Sequence, residues 1–488
     1  MNKRLHISQI LVWGVACAAL GTFVSCQVGP DYSRPQLDVP TTYKSATAQD
    51  AATQPSALAT DWWQLFNDPD LTRLEEAAIR DNPDLKAAVA RVAEARAAAS
   101  QVASQYYPTI TFDPSIQAAY SPKTSPASPN RWTSPTKLPF DLSYEVDLWG
   151  QVARSMESAN ATTHATADQY AIILQTLEGD VAQDYISLRA LEDQDDILTE
   201  NIKLTQEQLN IIKTKANPEV GLAGNIDVAQ AQTQLDALLA AQIDTHRQRA
   251  DAQHALAILV GRTPADFSLD RKSRALAIPS IPPGLPADIL RHRPDVTAAE
   301  QNLVAANAQI GVALSNFYPT VRLTGSAGMA SVDVQHVLDW QSALISLGPS
   351  VSIPIFEGGR LQAGVNQAQA RYNELLANYQ STLLSAFRDV EVSLTDVHMR
   401  GDALEAQHRA VEAAREYLRL SRLEYDQGLV SYLQLLDADR TLLSNEVAES
   451  QLLTQRLVST VLLIKAIGGG WDAETPLTYD TATPQKTP

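Results

Sequence analysis

Between Lys137 and Leu148 the chain alternates strictly. Leu138, Phe140, Leu142, Tyr144, Val146 and Leu148 are apolar, and every residue between them except Pro139 is polar or charged. A period of two makes an extended strand with one oily and one wet face. Twelve residues are long for a strand in a soluble domain and close to what a tilted strand needs to cross a bilayer. A weaker alternation precedes it, with Ile110, Phe112, Ile116, Ala118 and Tyr120 set against Thr109, Thr111, Asp113, Ser115 and Gln117. The pair predicts a long hairpin over about 109–148, whose outer loop, Ser121 to Thr136, holds four prolines and exposes Arg131 and Trp132.

Trp149-Gly150 ends the alternation, and a proline-free run of about 65 residues follows. In it Leu174, Leu177, Val181, Tyr185, Leu188, Leu191, Leu198, Ile202, Leu209 and Ile212 recur on steps averaging near 3.5, the seam of a coiled coil. Asn217-Pro218 breaks the run, Gly221 and Gly224 turn the chain, and a second helix is expected from about Ile226 to Val260, with Gly261 ending it. Upstream, Asp61-Trp62-Trp63 opens a short amphipathic helix expected through Arg80. Asn82-Pro83 then starts another, Pro83 falling in a first helical turn. Nine alanines between Ala87 and Ala103 would let neighbouring helices approach closely.

The segment from Arg262 to Pro294 holds six prolines, and after it the pattern returns. Arg293-Pro-Asp-Val answers Asn82-Pro-Asp-Leu, and Asn316-Phe-Tyr-Pro319 answers Gln105-Tyr-Tyr-Pro108, both at an offset of 211. Strands recur at about Thr320–Ala330 and Ser342–Phe356, a hairpin over about 320–356. Gly358-Gly359 answers Gly150, and a second proline-free helix runs to about Gln427. Gly428-Leu-Val-Ser431 answers Gly221-Leu-Ala-Gly224, and Gly468 answers Gly261, at an offset of 207. The chain therefore divides into a first repeat, 61–261, a proline-rich connection, 262–293, and a second repeat, 294–468, with helix-turn tips at about 215–225 and 427–432. At 1.5 Å per residue each long helix is roughly 100 Å, and the two short helices of a repeat together roughly 90 Å, so the short pair can stack end to end beside the long one.

Each repeat supplies one hairpin. Four strands cannot close a barrel, and open edges in lipid leave backbone groups unpaired at several kcal/mol each. Closure requires several chains; three copies give twelve strands. The fold class expected is thus an α+β membrane protein: a trimeric twelve-stranded β-barrel, four strands per chain, continued by an α-helical coiled-coil tunnel and built by internal duplication. A composition of 45% hydrophobic but only 6% aromatic residues suits long Ala/Leu helices. The formal charge of −18 offers no basic stripe to a nucleic acid.

The N-terminus reads as a targeting segment. Lys3 and Arg4 give the positive end, Ile7 to Leu20 the apolar core, and Phe23-Val24-Ser25 a small-residue approach to Cys26. This is similar to a bacterial lipoprotein signal over residues 1–25, with Cys26 lipidated and residues 26–60 an extended arm. Gln27 in place of an aspartate favours delivery to the outer membrane. Residues 469–488 are expected to form a flexible tail. Once the signal is removed, one cysteine remains and no internal disulfide can form.

Cys26-Gln-Val-Gly-Pro-Asp-Tyr32, Asp61-Trp-Trp-Gln-Leu-Phe-Asn-Asp-Pro69, Leu290-Arg-His-Arg-Pro-Asp295 and Tyr425-Asp-Gln-Gly-Leu-Val-Ser431 resemble the TolC-like outer-membrane efflux factors. The lipoprotein (NodT/OprM-like) subgroup of tripartite RND pumps matches over essentially the whole chain. The resemblance implies a homotrimer in the outer membrane, in contact with its lipid. It also implies two partners, a periplasmic adaptor (membrane fusion protein) and an inner-membrane RND pump, for which the trimer conducts drugs or other small molecules outward. It assigns adaptor docking to the tips Gly221, Leu222, Ala223, Gly224 and Gly428, Leu429, Val430, Ser431, with Gly224 departing from the usual Ser. It places Asp437 among residues lining the closed tunnel mouth and Tyr425 among those holding it shut. Gln434 stands where some relatives carry another Asp.

No His-x-x-x-His zinc pair, phosphate loop or Gly-x-Ser-x-Gly elbow occurs, and the eight histidines are scattered, so neither an enzyme nor a metal or other cofactor is expected beyond the lipid on Cys26. The alternative is a periplasm-spanning structural coiled-coil lipoprotein without channel activity. It accounts for the seams but not for the four alternating strands.

Overall fold

The computed structural model describes residues 27–36, 39–46, 59–122, 131–217, 224–272, 277–279, 281 and 292–471. The expected signal peptide, Cys26, the tip residues Gly221, Leu222 and Ala223, much of the proline-rich connection and most of the expected tail lie outside the described residues. Among the described residues the first repeat holds α1 (Pro69–Asp81), α2 (Pro83–Ala103), β1 (Thr109–Phe112), β2 (Ser115–Ile116), β3 (Ala119–Ser121), β4 (Arg131–Thr133), β5 (Thr136–Val146), α3 (Gln151–Lys215) and α4 (Asn225–Leu259). The second holds α5 (Pro294–Ser315), β6 (Thr320–Ser331), β7 (Ala343–Ser352), α6 (Arg360–Asp426) and α7 (Tyr432–Ala466). By contacts the chain forms two compact units. One comprises residues up to Gln36, Val92–Thr166 and Ala298–Tyr379; the other comprises Leu37–Arg91, Ala167–Thr297 and Gln380 onward.

The first unit contains an antiparallel sheet in the order β1-β5-β6-β7, with β2 also pairing β5. Register explains the alternation. Ile110 faces Leu142, which faces Gly325, which faces Leu347; one rung on, Phe112, Phe140, Ala327 and Ile345 line up. One face is apolar across all four strand positions, and the Phe112 and Phe140 rings lie 4.7 Å apart on it. The opposite face carries Thr111, Asp141, Ser326 and Ser346 in one rung, and Glu145 paired with Arg322 at 2.9 Å in another. The sheet is open, with β1/β2 and β7 as its edges.

The first strand is not the continuous one expected. It breaks into β1, β2 and β3, because Pro114 interrupts it and Pro139 on the facing strand has no N–H to offer. Strand β5 stops at Val146, two residues before Leu148, and β7 at Ser352, before Pro354 and the exposed Ile355 and Phe356.

Residues 27–36 run along the first unit as an extended arm. Val28 donates its N–H to the Trp149 carbonyl (3.0 Å), Arg154 reaches the carbonyls of Val28 and Gly29 and the Asp31 carboxylate, and Asn307 binds the Pro30 carbonyl. Arg34 grips Glu300 with two nitrogens, and Tyr32 donates to the same carboxylate. Gly29 and Gly311 meet back to back: a Cβ on Gly29 would lie 2.5 Å from the Gly311 Cα.

In the second unit the aromatic segment opening the first repeat is two elements, a 3-10 turn at Trp62–Phe66 and then α1. The single helix expected there is broken by Asn67 in the left-handed region (φ 52°) and by Asp68, whose carboxylate caps α1 through the Asp70 amide at 2.8 Å. Trp62, Trp63, Phe66 and Leu71 are buried there. Tyr185 on α3 donates to Asp68, and the Trp62 indole donates to Glu178 at 3.2 Å. Burial pushes the Glu178 carboxyl up to about 8. Glu75 is raised as well, by burial first and then by the charge of Glu178. Glu178 therefore keeps its proton at neutral pH, which avoids much of the cost of burying its charge, and Glu75 is shifted in the same direction.

A second anchor is ionic. Fully buried Glu192 accepts from Arg189 (2.6 Å) and Arg249 (2.7 Å), while those arginines also bind the carbonyls of Asp270 and Leu269. Arg271 pairs with Asp195 and Asp196, and Lys272 with Asp70. The start of the proline-rich connection is thereby riveted to α3 and α4.

The short helices meet end to end. At the α1–α2 junction Asn82 caps α2 through the Asp84 and Leu85 amides and donates its side-chain amide to the Leu259 carbonyl at the end of α4 (2.9 Å). At the start of α5, Arg293 donates to the Ala466 carbonyl at the end of α7 (3.0 Å).

Candidate functional site at the helix tips

The second tip is closed by backbone geometry. Helix α6 ends at Asp426, and Gly428 takes φ 72°. Its N–H donates to the Tyr425 carbonyl (3.0 Å), and the Leu429 N–H donates to the Glu424 carbonyl (2.9 Å). This paired stop satisfies the last carbonyls of the helix and favours glycine at the left-handed position. Ser431, extended at φ −77° and ψ 160°, starts α7. Leu429 is left 69% exposed, an apolar side chain in the turn itself. At the first tip Gly224 also precedes its helix in extended conformation, and its N–H is bound by the Asp227 carboxylate (3.0 Å).

Behind the tips the helices share one apolar cluster: Leu209 and Ile212 from α3, Ala231 and Leu235 from α4, and Tyr432, Leu435 and Leu436 from α7, with Tyr425 packed against it. The cluster joins the first repeat to the second. Tyr425 meets Tyr432 edge-on, ring centres 6.0 Å apart, and the Lys215 ammonium lies 4.7 Å from the Tyr425 ring centre. Burial, then the charges of Asp227 and Asp426, raises the pKa of the Tyr425 phenol. A polar link runs alongside, from the Arg440 guanidinium to the side-chain amide oxygen of Gln234 (2.6 Å).

The residues expected at the mouth separate onto two faces. Tyr425 is half-buried in the cluster, while Gln434 and Asp437 lie on the exposed face of α7. Asp437 accepts from the Tyr417 hydroxyl at 3.3 Å. On the buried side of α7, burial pushes the Asp439 carboxyl up and the Arg422 charge partly offsets it. Sequence reasoning missed Tyr417, Lys215, Asp227 and the Gln234–Arg440 pair, because each becomes relevant only when helices distant in sequence are brought side by side. No cluster of potential metal ligands occurs among the described residues. None of the described helices is long and apolar enough to cross a membrane.

Comparison with known proteins places this arrangement. The family model for outer membrane efflux proteins matches residues 74–262 and 285–469, one match per repeat. A solvent efflux pump outer membrane protein of Pseudomonas putida, SrpC, is 32% identical over 91% of this chain and 96% of its own length. Outer membrane protein OprJ of Pseudomonas aeruginosa is 30% identical over 92% of this chain and 94% of its own. Among solved structures, the open state of the Neisseria gonorrhoeae MtrE outer membrane channel superposes with a TM-score of 0.80 at 28% identity, covering 92% of this chain and 100% of that one. The chain belongs to the outer membrane efflux protein family and is the outer-membrane channel component of an efflux pump.

Proposed function

We propose that three copies of this chain close one twelve-stranded barrel and continue it as a helical tunnel, conducting small molecules delivered by a periplasmic adaptor and an inner-membrane RND pump. The observation that carries this reading is the sheet. Its apolar face is continuous across every strand, its other face is polar, and its two edges are open. In lipid such edges must be paired, and another copy of the same sheet pairs them without new chemistry.

The arm supports a lipid anchor at Cys26. Gln27, the residue after Cys26, packs against Gly150 where sheet passes into helix; a Cβ on Gly150 would lie 2.8 Å from the Gln27 side chain. In a membrane this is the inner boundary of the barrel, within reach of the leaflet. The tips are the adaptor-docking sites, with the exposed Leu429 as the apolar anchor of the second, and α7 presents Asp437 to the mouth.

The test is to purify the full chain in detergent, ask for a heat-sensitive trimer and record it in a planar bilayer. Discrete ion-conducting channels are expected. A monomer that never conducts would overturn the reading.

A further inference from the structure

Lys215 is the last residue of α3, half-buried, in the turn where a cation also meets the negative end of the helix dipole. Its ammonium is seated over a ring that belongs to the other repeat. Tyr425 lies 210 residues on, three residues before the glycine that closes the second tip. A cation within about 6 Å of a ring centre is drawn to the ring face, weakly in water and more strongly as water is excluded. Here the ring is fixed by Tyr432 and the apolar cluster, and Asp227 adds negative potential near the phenol.

We propose that Lys215 is a positioning residue for the tunnel mouth: its ammonium latches the second-repeat tip to the end of the first-repeat long helix, and the mouth opens when that contact is lifted. The proposal rests on the reading above that Tyr425 and α7 close the mouth. The chemistry suits a latch that must release. The Gln234–Arg440 hydrogen bond requires a fixed direction, and breaking it exposes a paired guanidinium. A lysine on a flexible stem can leave a ring and be rehydrated with little penalty. Three copies around one axis would release together.

The experiment is single-channel recording of the purified full-chain trimer with no pump or adaptor present. Lys215→Met keeps the apolar stem and removes the charge. It should raise basal conductance by about two- to fivefold, the factor a partly exposed cation–π contact carries. Lys215→Gln should do the same, and Lys215→Arg, which keeps the cation, should restore the closed state. The heat-sensitive trimer should persist in all three. Lys215→Met combined with Tyr425→Leu should leak no more than Tyr425→Leu alone, because the two act through one contact. A leaky Tyr425→Leu beside a tight Lys215→Met, or additive effects in the double variant, overturns the latch and leaves the mouth in place. If neither Tyr425→Leu nor Asp437→Ala changes conductance, the mouth is elsewhere and the latch falls with it.

Discussion

The junctions at Asn82 and at Arg293 occupy equivalent places in the two repeats, and their chemistry differs. In the first, a neutral amide caps one helix and binds the last carbonyl of another. In the second, a guanidinium makes the equivalent contact and is itself held by Asp295 (2.6 Å) and Asp389 (3.4 Å). The glycines beside them are alike. Gly261 has φ 70° and Gly468 φ 112°, and a Cβ would lie 2.6 Å from the Asp81 carbonyl oxygen in one case and 2.0 Å from that of His292 in the other. Backbone crossing at such range tolerates no side chain, whereas a helix-terminal carbonyl accepts any donor that reaches it. Duplication fixed the backbone and left the donor free.

The largest break in this pairing should come from the sheet. Leu142 on β5 and Leu347 on β7 lie in the same apolar rung, and Leu347 is 72% exposed in the single chain. In water Leu347→Arg would be silent. In lipid near the midplane each arginine costs roughly 2–4 kcal/mol. Leu142→Arg and Leu347→Arg should both lose trimer in outer-membrane fractions, while Ser143→Arg on the polar face should not. A silent Leu347→Arg would leave only the first hairpin in the membrane.

Next come the glycines. Gly261→Ala and Gly468→Ala should each lower the stability of the trimer by about 1–3 kcal/mol from the backbone conformation alone. The second should show the larger fall in melting temperature, since its Cβ has less room. Equal shifts would mean that the crossing relaxes more easily than its geometry implies.

The donors should matter least. Asn82→Ala and Arg293→Ala should each cost on the order of 1 kcal/mol. Salt distinguishes them in thermal melts: the Arg293→Ala defect, which leaves Asp295 and Asp389 facing each other, should shrink as salt is added. The Asn82→Ala defect should not. The same salt response in both would remove the distinction drawn between amide and guanidinium.

What the sequence could show follows from the range of each interaction. The period of two in Leu138 to Val146 reports which face is apolar, a property of each residue and its neighbours, and the register carries it across all four strand positions. The glycines at an offset of 207 were legible because a left-handed turn leaves its mark locally. The break of the first strand was half legible in Pro114, but Pro139 acts across the ladder. Nothing near Arg154, Glu300 or Gly311 announces that an arm lies on them. Glu192 reads as a solvated helix charge until Arg189 and Arg249 close over it. At the tips, Tyr425 and Asp437 were legible only through resemblance, and Lys215 not at all.

The arm also orders events in time. Arg34 is joined to Glu300 across 266 residues, so the arm finds its seat only after the first hairpin, α3, α4 and the start of the second repeat have been synthesised. Contacts that far apart in sequence form slowly, since the chain between them must first be organised. The arm is thus a strap fastened late, and a molecule with its arm seated is one whose α5 is already in place against the first repeat.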